Sequence, residues 1–377
     1  VELGLYVHIP FCKSKCHYCD FLSYSRMDLV EEYVNALNKE IKSYGQLFKN
    51  TQIQSIFIGG GTPTVLPPYL LEQIYNCIVD NFVLSEDCEW TIEANPDTVT
   101  NEQVVLFRKY PINRISLGLQ AVQDYHLKNI GRVHSFKQWE NAIFLLKSNG
   151  ITNINTDLIF GLPNQTLQEW EESLNTVVKY NIPHISAYSL TLEGDTKFTK
   201  MYEKGELTLA DETLDRQMYN IAKDILNSYN HYEISNWAKN GKECKHNILY
   251  WKQKQYIGVG LGASGYISSS RYTNIRNLKD YIMNINNNNL SVQEGNEYIT
   301  PRMQQEEFMF LGLRMRSGID INEFQKLFGV EIYDIFGNQI DRWIKQGVIR
   351  NNNNNILNLT DYGIDISNII FASFLNI

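Results

Sequence analysis

Six short apolar runs recur along the first half of the chain with amphipathic helical stretches between them, and this alternation restricts the fold more than any other feature. The runs cover residues 3–9, 55–58, 90–93, 114–119, 153–160 and 184–192. Each is rich in β-branched, aromatic or aliphatic side chains, as buried strands are. Helical patterns separate them at 27–48, 68–81, 100–109, 136–148 and 167–179, with Thr100 and Thr166 as N-caps and Gly150 as a C-terminal stop. Strands joined through crossover helices form a parallel sheet. Enough of these units curl the sheet toward a barrel, with the reactive groups at the carboxyl ends of the strands. The expected fold is therefore α/β, a partial (β/α)6 barrel.

Directly after the first run, Cys12, Cys16 and Cys19 fall inside eight residues. Their spacing places three sulfurs on one tight loop, and Lys13, Lys15 and His17 keep that loop polar and favour thiolate. Closed structural zinc sites recruit four protein ligands, whereas a four-iron cluster on three cysteines keeps one iron open for a ligand. Disulfides are the competing account. Six cysteines in 377 residues are sparse, and no secretory signal is evident, so the chain reads as cytoplasmic and reducing. Cys77 and Cys88 stand apart and read as small buried hydrophobes.

A formal charge of −8 and the absence of a Lys/Arg-rich patch argue against nucleic acid as a partner. No apolar stretch reaches membrane-spanning length. Asparagine runs at 286–289 and 351–355 read as solvated loops.

Polar residues collect where the strands end. The second run leads into Gly59, Gly60, Gly61, Thr62 and Pro63, the third ends at Glu93 with Asn95 close behind, the fourth leads to Gln120, and the fifth carries Asp157. Consecutive glycines expose backbone amides suited to a small zwitterion, although a tight turn alone would also use them. A further glycine pattern, Gly260, Gly262 and Gly265, precedes a poor helix and lacks the acidic residue of a dinucleotide site, so a nicotinamide cofactor is rejected.

From about residue 300 the character changes. Helices at 306–315, 321–328 and 332–346 precede a hairpin of 348–350 with 356–359, the order of a winged-helix-like α+β domain. Its third helix region carries Glu331, Asp334, Asp341, Arg342 and Lys345, which is not a phosphate-binding face, so a lid or partner-docking role is expected. Three regions follow: a barrel at 1–235, a connecting segment at 236–299 and a C-terminal domain at 300–377.

The cysteine spacing, the six strands and the glycine run resemble the radical S-adenosylmethionine (radical SAM) superfamily. Within it, the runs beginning at Tyr6, Gly59, Glu93, Arg114 and Tyr232 resemble the oxygen-independent coproporphyrinogen III oxidase group, across nearly the whole chain. The resemblance implies that Cys12, Cys16 and Cys19 ligate a [4Fe-4S] cluster whose free iron chelates the amino and carboxylate groups of S-adenosylmethionine, and that reduction splits the sulfonium to a 5'-deoxyadenosyl radical. It implies that Tyr6, Gly60 and Glu93 hold that molecule. Gly61, Thr62, Gln120, Arg132 and Asp157 match positions that contact a second molecule of it in the decarboxylating relatives. Read without the resemblance, Arg132 is equally a surface charge.

Two functions fit this group, a decarboxylase acting on coproporphyrinogen III and a HemW-type heme chaperone. The decarboxylase pattern has a fourth cysteine two positions after the third, where this chain has Phe21. Coproporphyrinogen oxidase activity is therefore not expected. The chaperones carry a His-Asn-x-x-Tyr-Trp motif linked to heme, present here as His246, Asn247, Tyr250 and Trp251. An imidazole can ligate heme iron with aromatic neighbours against the porphyrin, and Cys244 is an alternative ligand; a hydrogen-bonded core histidine would look the same. The resemblance thus implies a protein that binds heme and transfers it to apo-hemoproteins of the respiratory chain, with peripheral membrane contact and room for a homodimer.

Overall fold

All six expected strands form, and they lie side by side in chain order as a parallel sheet: β1 (Leu3–Ile9), β2 (Gln52–Gly60), β3 (Val83–Ala94), β4 (Arg114–Gln120), β5 (Ile154–Phe160) and β6 (His184–Ser189). The structure, a computed structural model, describes residues 2–287, 292–352 and 354–375, so Asn288, Asn289 and Asn353 of the two asparagine runs lie outside the described residues. The intervening helices are α1 (Val30–Leu47), α2 (Pro68–Asn81), α3 (Asn101–Lys109), α4 (Asp124–Asn129), α5 (Phe136–Ser148) and α6 (Leu167–Lys179). Covered on both faces, β4 is buried at every position. Thr100 and Thr166 cap α3 and α6 as expected, Thr166 through a reciprocal capping box with Glu169. Gly150 follows α5 at φ +83°, the left-handed turn that ends a helix.

Two elements differ from the expectation at their ends. β3 begins at Val83, seven residues before the apolar run, because its polar first half pairs with the start of β2, Gln52 opposite Val83. β6 stops at Ser189, short of Leu192.

Segment 236–299 does more than connect. After α7 (Lys197–Glu203) and α8 (Glu212–Ile225), strands β7 (Asn230–Glu233) and β8 (Asn236–Ala238) join the β6 edge in antiparallel fashion. Helix α9 (Lys245–Trp251) then leads to β9 (Gln255–Val259), which pairs in parallel with β1 at the opposite edge. β10 (Ser264–Ile267), β11 (Ser270–Asn274), α10 (Leu278–Asn286) and β12 (Gln293–Tyr298) complete a twelve-stranded sheet. The glycine pattern at 260–265 is the turn from β9 to β10. The buried Glu40 carboxylate takes the N–H of Gly260 at 2.8 Å, and a strand follows where a dinucleotide site requires a helix.

The C-terminal part has the expected winged-helix-like order. α11 (Pro301–Arg314), β13 (Ile319–Asp320), α12 (Ile321–Phe328), α13 (Ile332–Lys345), β14 (Ile349–Asn351) and β15 (Ile356–Leu359) are followed by two short helices, α14 (Asp361–Asp365) and α15 (Ser367–Ala372). β13, β15 and β14 form a small antiparallel sheet, and Phe324, Phe336 and Phe374 fill the core beneath it. An ion pair, Arg314 Nε to Glu233 at 2.8 Å, ties α11 to β7, and the Glu233 side is wholly buried.

Candidate functional site

Side chains alternate across a strand, so Arg114, Ser116, Gly118 and Gln120 of β4 share one face, and Asn155, Asp157 and Ile159 of β5 share another. Together they line a cavity of about 580 Å³ inside the curled sheet. Cys12, Cys16, Cys19, Gly60, Gly61, Thr62, Glu93 and Arg132 line it as well. Residues spread over more than a hundred positions of sequence thus meet at one mouth. Tyr6 does not line this cavity; its hydroxyl lies 2.9 Å from His8 Nδ1.

Backbone contacts at both ends hold the cysteine loop. Cys12 N–H donates to Tyr24 O at 3.0 Å, His17 N–H to Ile130 O at 2.9 Å, and the His17 ring meets Asn129 O at 2.9 Å. Burial pushes the Cys12 and Cys19 thiols up, while Thr62 near Cys12 works in the opposite direction. Among the described residues no three His, Cys, Asp or Glu side chains converge on one metal-ion position. A four-iron cluster takes each sulfur on a different iron, so it needs three cysteines arranged around a cavity rather than convergence on a point.

The glycine run serves both close approach and a tight turn. Gly60 has φ +110°, and a Cβ there would stand 2.4 Å from His8 Cε1; a Cβ on Gly61 would stand 2.5 Å from Phe11 O. Gly60 N–H donates to Glu93 Oε2 at 3.0 Å. Burial, and after it the charge of Asp157, pushes the Glu93 carboxyl up to about 7. Thr62 Oγ1 accepts from Asn95 Nδ2 at 3.1 Å, and Arg132 Nη1 donates to Asn95 Oδ1 at 2.7 Å. Arg132 is therefore part of the cavity wall, not a surface charge. Gln120 sits at a shift in the β4–β5 register with φ +74°, a conformation rare for a residue with a side chain. Its Oε1 and Arg132 Nε are buried without partners. The amides expected to be bare are not: Gly60, Gly61 and Thr62 N–H donate to Glu93, Ile9 O and Phe11 O. What fits a cluster with a small polar ligand beside it is the three thiols on a loop and the orphaned polar atoms of Gln120 and Arg132.

The His-Asn-x-x-Tyr-Trp motif lies elsewhere, on α9 at the amino ends of the strands. His246 is 1% exposed, with Nδ1 2.8 Å from Ser55 Oγ and Nε2 2.7 Å from the Tyr250 hydroxyl. Burial pushes its pKa down to about 3. Glu89 accepts the N–H groups of Lys245 and His246, both at 3.1 Å, and lies 3.5 Å from Cys244 Sγ. Burial pushes the Cys244 thiol up to about 12. The Arg314 guanidinium covers the Trp251 ring at 4.4 Å. In this conformation neither His246 nor Cys244 is presented to iron, because both ring nitrogens and the thiol are spent inside the protein. Asn247 is the one motif residue that lines the cavity.

Asn95 lines the cavity as its place behind β3 implies, whereas several lining residues were not among those expected: Arg114, Ser116, Asn155, Ser186 and Tyr188. Tyr188 donates to Asp157 Oδ1 at 2.6 Å and Asn155 Nδ2 to the same oxygen at 2.7 Å. Stepping back by twos from Gln120 and Asp157 finds Ser116, Arg114 and Asn155.

The chain matches the Radical SAM superfamily model over residues 6–177 and the HemN C-terminal domain model over 299–366. It is 38% identical over 376 residues to the heme chaperone HemW of Bacillus subtilis, covering 98% of each chain. To the heme chaperone HemW of Lactococcus lactis it is 36% identical over 373 residues, covering 98% of this chain and 96% of the relative. Its fold overlays that of coproporphyrinogen III oxidase (HemN) from Escherichia coli with a TM-score of 0.86 at 20% identity, covering 100% of this chain and 90% of the other. No helix among the described residues is long and apolar enough to cross a membrane.

Proposed function

Because this chain belongs to the radical SAM superfamily, and within it to the family of the HemW proteins, we propose that it is a heme chaperone which carries a [4Fe-4S] cluster, binds S-adenosylmethionine and passes heme to apo-hemoproteins of the respiratory chain. The observation that carries this reading is the end-to-end similarity to relatives named as heme chaperones. Phe21 supports it from inside the chain. It occupies the place of the decarboxylase's fourth cysteine and stands 68% exposed at the cavity rim.

Under this reading Cys12, Cys16 and Cys19 hold the cluster, which supplies one-electron reduction and an open iron for the amino and carboxylate groups of S-adenosylmethionine. Gly60 and Glu93 orient that molecule at the glycine turn, and Tyr6 acts at one remove through His8. Gly61, Thr62, Gln120, Arg132 and Asp157 form the adjoining polar wall. Protonated below about pH 7, Glu93 donates a hydrogen bond; above it, it attracts the ligand's ammonium. His246 can reach heme iron only if α9 leaves its seat on Ser55 and Glu89. The protein works in the cytoplasm and touches the membrane at its surface when it meets an acceptor.

Anaerobic reconstitution of the cluster, followed by S-adenosylmethionine, a low-potential reductant and coproporphyrinogen III, tests the assignment. Saturable heme binding in a parallel sample without formation of protoporphyrinogen is the expected result. Catalytic turnover of coproporphyrinogen would replace the chaperone with the decarboxylase.

A further inference from the structure

Arg114 opens β4 at the deep end of the cavity, 2% exposed, with its Nε buried and unpartnered. No hydrogen bond or ion pair of its side chain occurs among the described residues. A guanidinium carries five N–H donors and keeps its charge at any ordinary pH, so a buried one normally has its fork filled. Glu93 lies in the field of Arg114 with Oε2 on Gly60 N–H, and the carboxylates acting on Arg114 most strongly through space are Glu89 and Asp157. Both are taken: Glu89 by the amides of Lys245 and His246 at 3.1 Å, and Asp157 by Tyr188 at 2.6 Å and Asn155 at 2.7 Å. Their field explains why a cation is tolerated at this depth. It does not explain why the planar fork is left facing a cavity. Asn247 lines the same cavity, and its side-chain amide has no hydrogen-bond partner among the described residues.

We propose that Arg114 receives the carboxylate of a ligand bound in the cavity, in a two-point contact with Asn247 as a neighbouring donor. A carboxylate matches the fork and brings a single negative charge. A phosphate would bring a second charge toward Glu89 and Asp157 and be repelled. The carboxylate has two sources, a porphyrin propionate or the amino-acid end of an S-adenosylmethionine molecule other than the one whose carboxylate the cluster iron would chelate. The inference rests on the reading of this cavity as the ligand site of a HemW-family protein.

The test titrates the full-length, cluster-reconstituted protein with heme, with heme dimethyl ester and with S-adenosylmethionine, for wild type, Arg114→Lys and Arg114→Gln. Loss of a charge-assisted two-point contact weakens binding by about tenfold or more. A loss of that size for heme but not for its diester assigns the propionate. A loss for S-adenosylmethionine alone assigns the amino-acid carboxylate. Affinities within about twofold of wild type for all three ligands, or equal losses for heme and its diester with S-adenosylmethionine unchanged, overturn the proposal. Arg114→Lys keeps a cation between Glu89 and Asp157 and loses the planar fork, so it decides the matter should Arg114→Gln not fold. If the wild type binds no heme, the chaperone reading fails by itself, and the S-adenosylmethionine arm still decides the role of Arg114.

Discussion

His246 Nε2 and the Tyr250 hydroxyl lie 2.7 Å apart, one helical turn from each other, and the other ring nitrogen of His246 meets Ser55 at 2.8 Å. This pairing pins α9 across the base of the sheet, under Gly4, where a Cβ would come within 3.2 Å of the ring. Truncating the ring orphans two hydroxyls and opens a void. His246→Ala should lower stability by about 2–4 kcal/mol, whereas Tyr250→Phe, which loses one hydrogen bond, should cost about 1 kcal/mol. Urea unfolding of the apo-protein measures both. A Soret band unchanged in the folded His246→Ala protein would exclude the histidine as iron ligand.

Acid should weaken the fold through its buried histidines. Burial holds His8, His134 and His231 down to about 4 and His246 to about 3. Unfolded, each takes a proton near 6.5, so below that pH the unfolded chain binds more protons and stability falls as pH falls toward 4. Each contributes about 1.4 kcal/mol per pH unit across this window. Glu93, raised to about 7, acts with the opposite sign between 4.5 and 7 and is outnumbered. Unfolding midpoints measured from pH 7 to 5 should decline, and His231→Gln should flatten the decline by one histidine's share.

The glycine turn tolerates no side chain. Gly60→Ala places a methyl group against the His8 ring at φ +110° and should cost about 1–3 kcal/mol. Because Gly60 N–H is bonded to Glu93, binding of S-adenosylmethionine should weaken in the same variant. Equilibrium unfolding and a ligand titration read the two effects separately.

Arg314 holds the C-terminal part to the sheet. Arg314→Ala leaves Glu233 buried without its cation and uncovers the Trp251 ring. The expected loss is about 2–3 kcal/mol, below the full cost of breaking a buried pair because the Arg314 side is partly exposed. A double-mutant cycle with Glu233→Gln should return much of it.

Replacing Cys12, Cys16 and Cys19 together by Ser should abolish the cluster's iron and sulfide content. The loop is only partly buried and the core does not depend on it, so the apo-fold should keep its melting temperature within a few degrees. Heme binding should survive in part. Its complete loss in a folded triple variant would place heme on the cluster itself.

The central strands were legible because each carries closely spaced aliphatic residues for the core, Leu3, Leu5, Val7 and Ile9 in β1 and Ile115, Leu117 and Leu119 in β4. The cavity residues at the carboxyl ends were legible through the strand ends and the family motifs. The edge strands were not: β12, with the sequence Gln-Glu-Gly-Asn-Glu-Tyr, is exposed at every position and carries no alternating pattern. The first half of β3 was hidden in the same way. In sequence Arg114 looks like the polar first residue of a strand, and only the register that places it on one face with Gln120 shows that it points inward. The motif at His246 left two readings open in sequence, because a histidine two hydrogen bonds deep in a core has the same signature there as one awaiting a metal.

β1 lies between β2 and β9, with Leu3 opposite Ile53 on one side and Gln255 on the other. The strand that delivers the cysteines therefore receives its second neighbour only when residues 255–259, about 250 positions later in the chain, have been made. A strand made before its neighbours β2 and β9 is thus sealed on one side well before the other. Assembly of the metal centre on a nascent chain would begin on an open edge, and its retention would report that the far side of the sheet had closed.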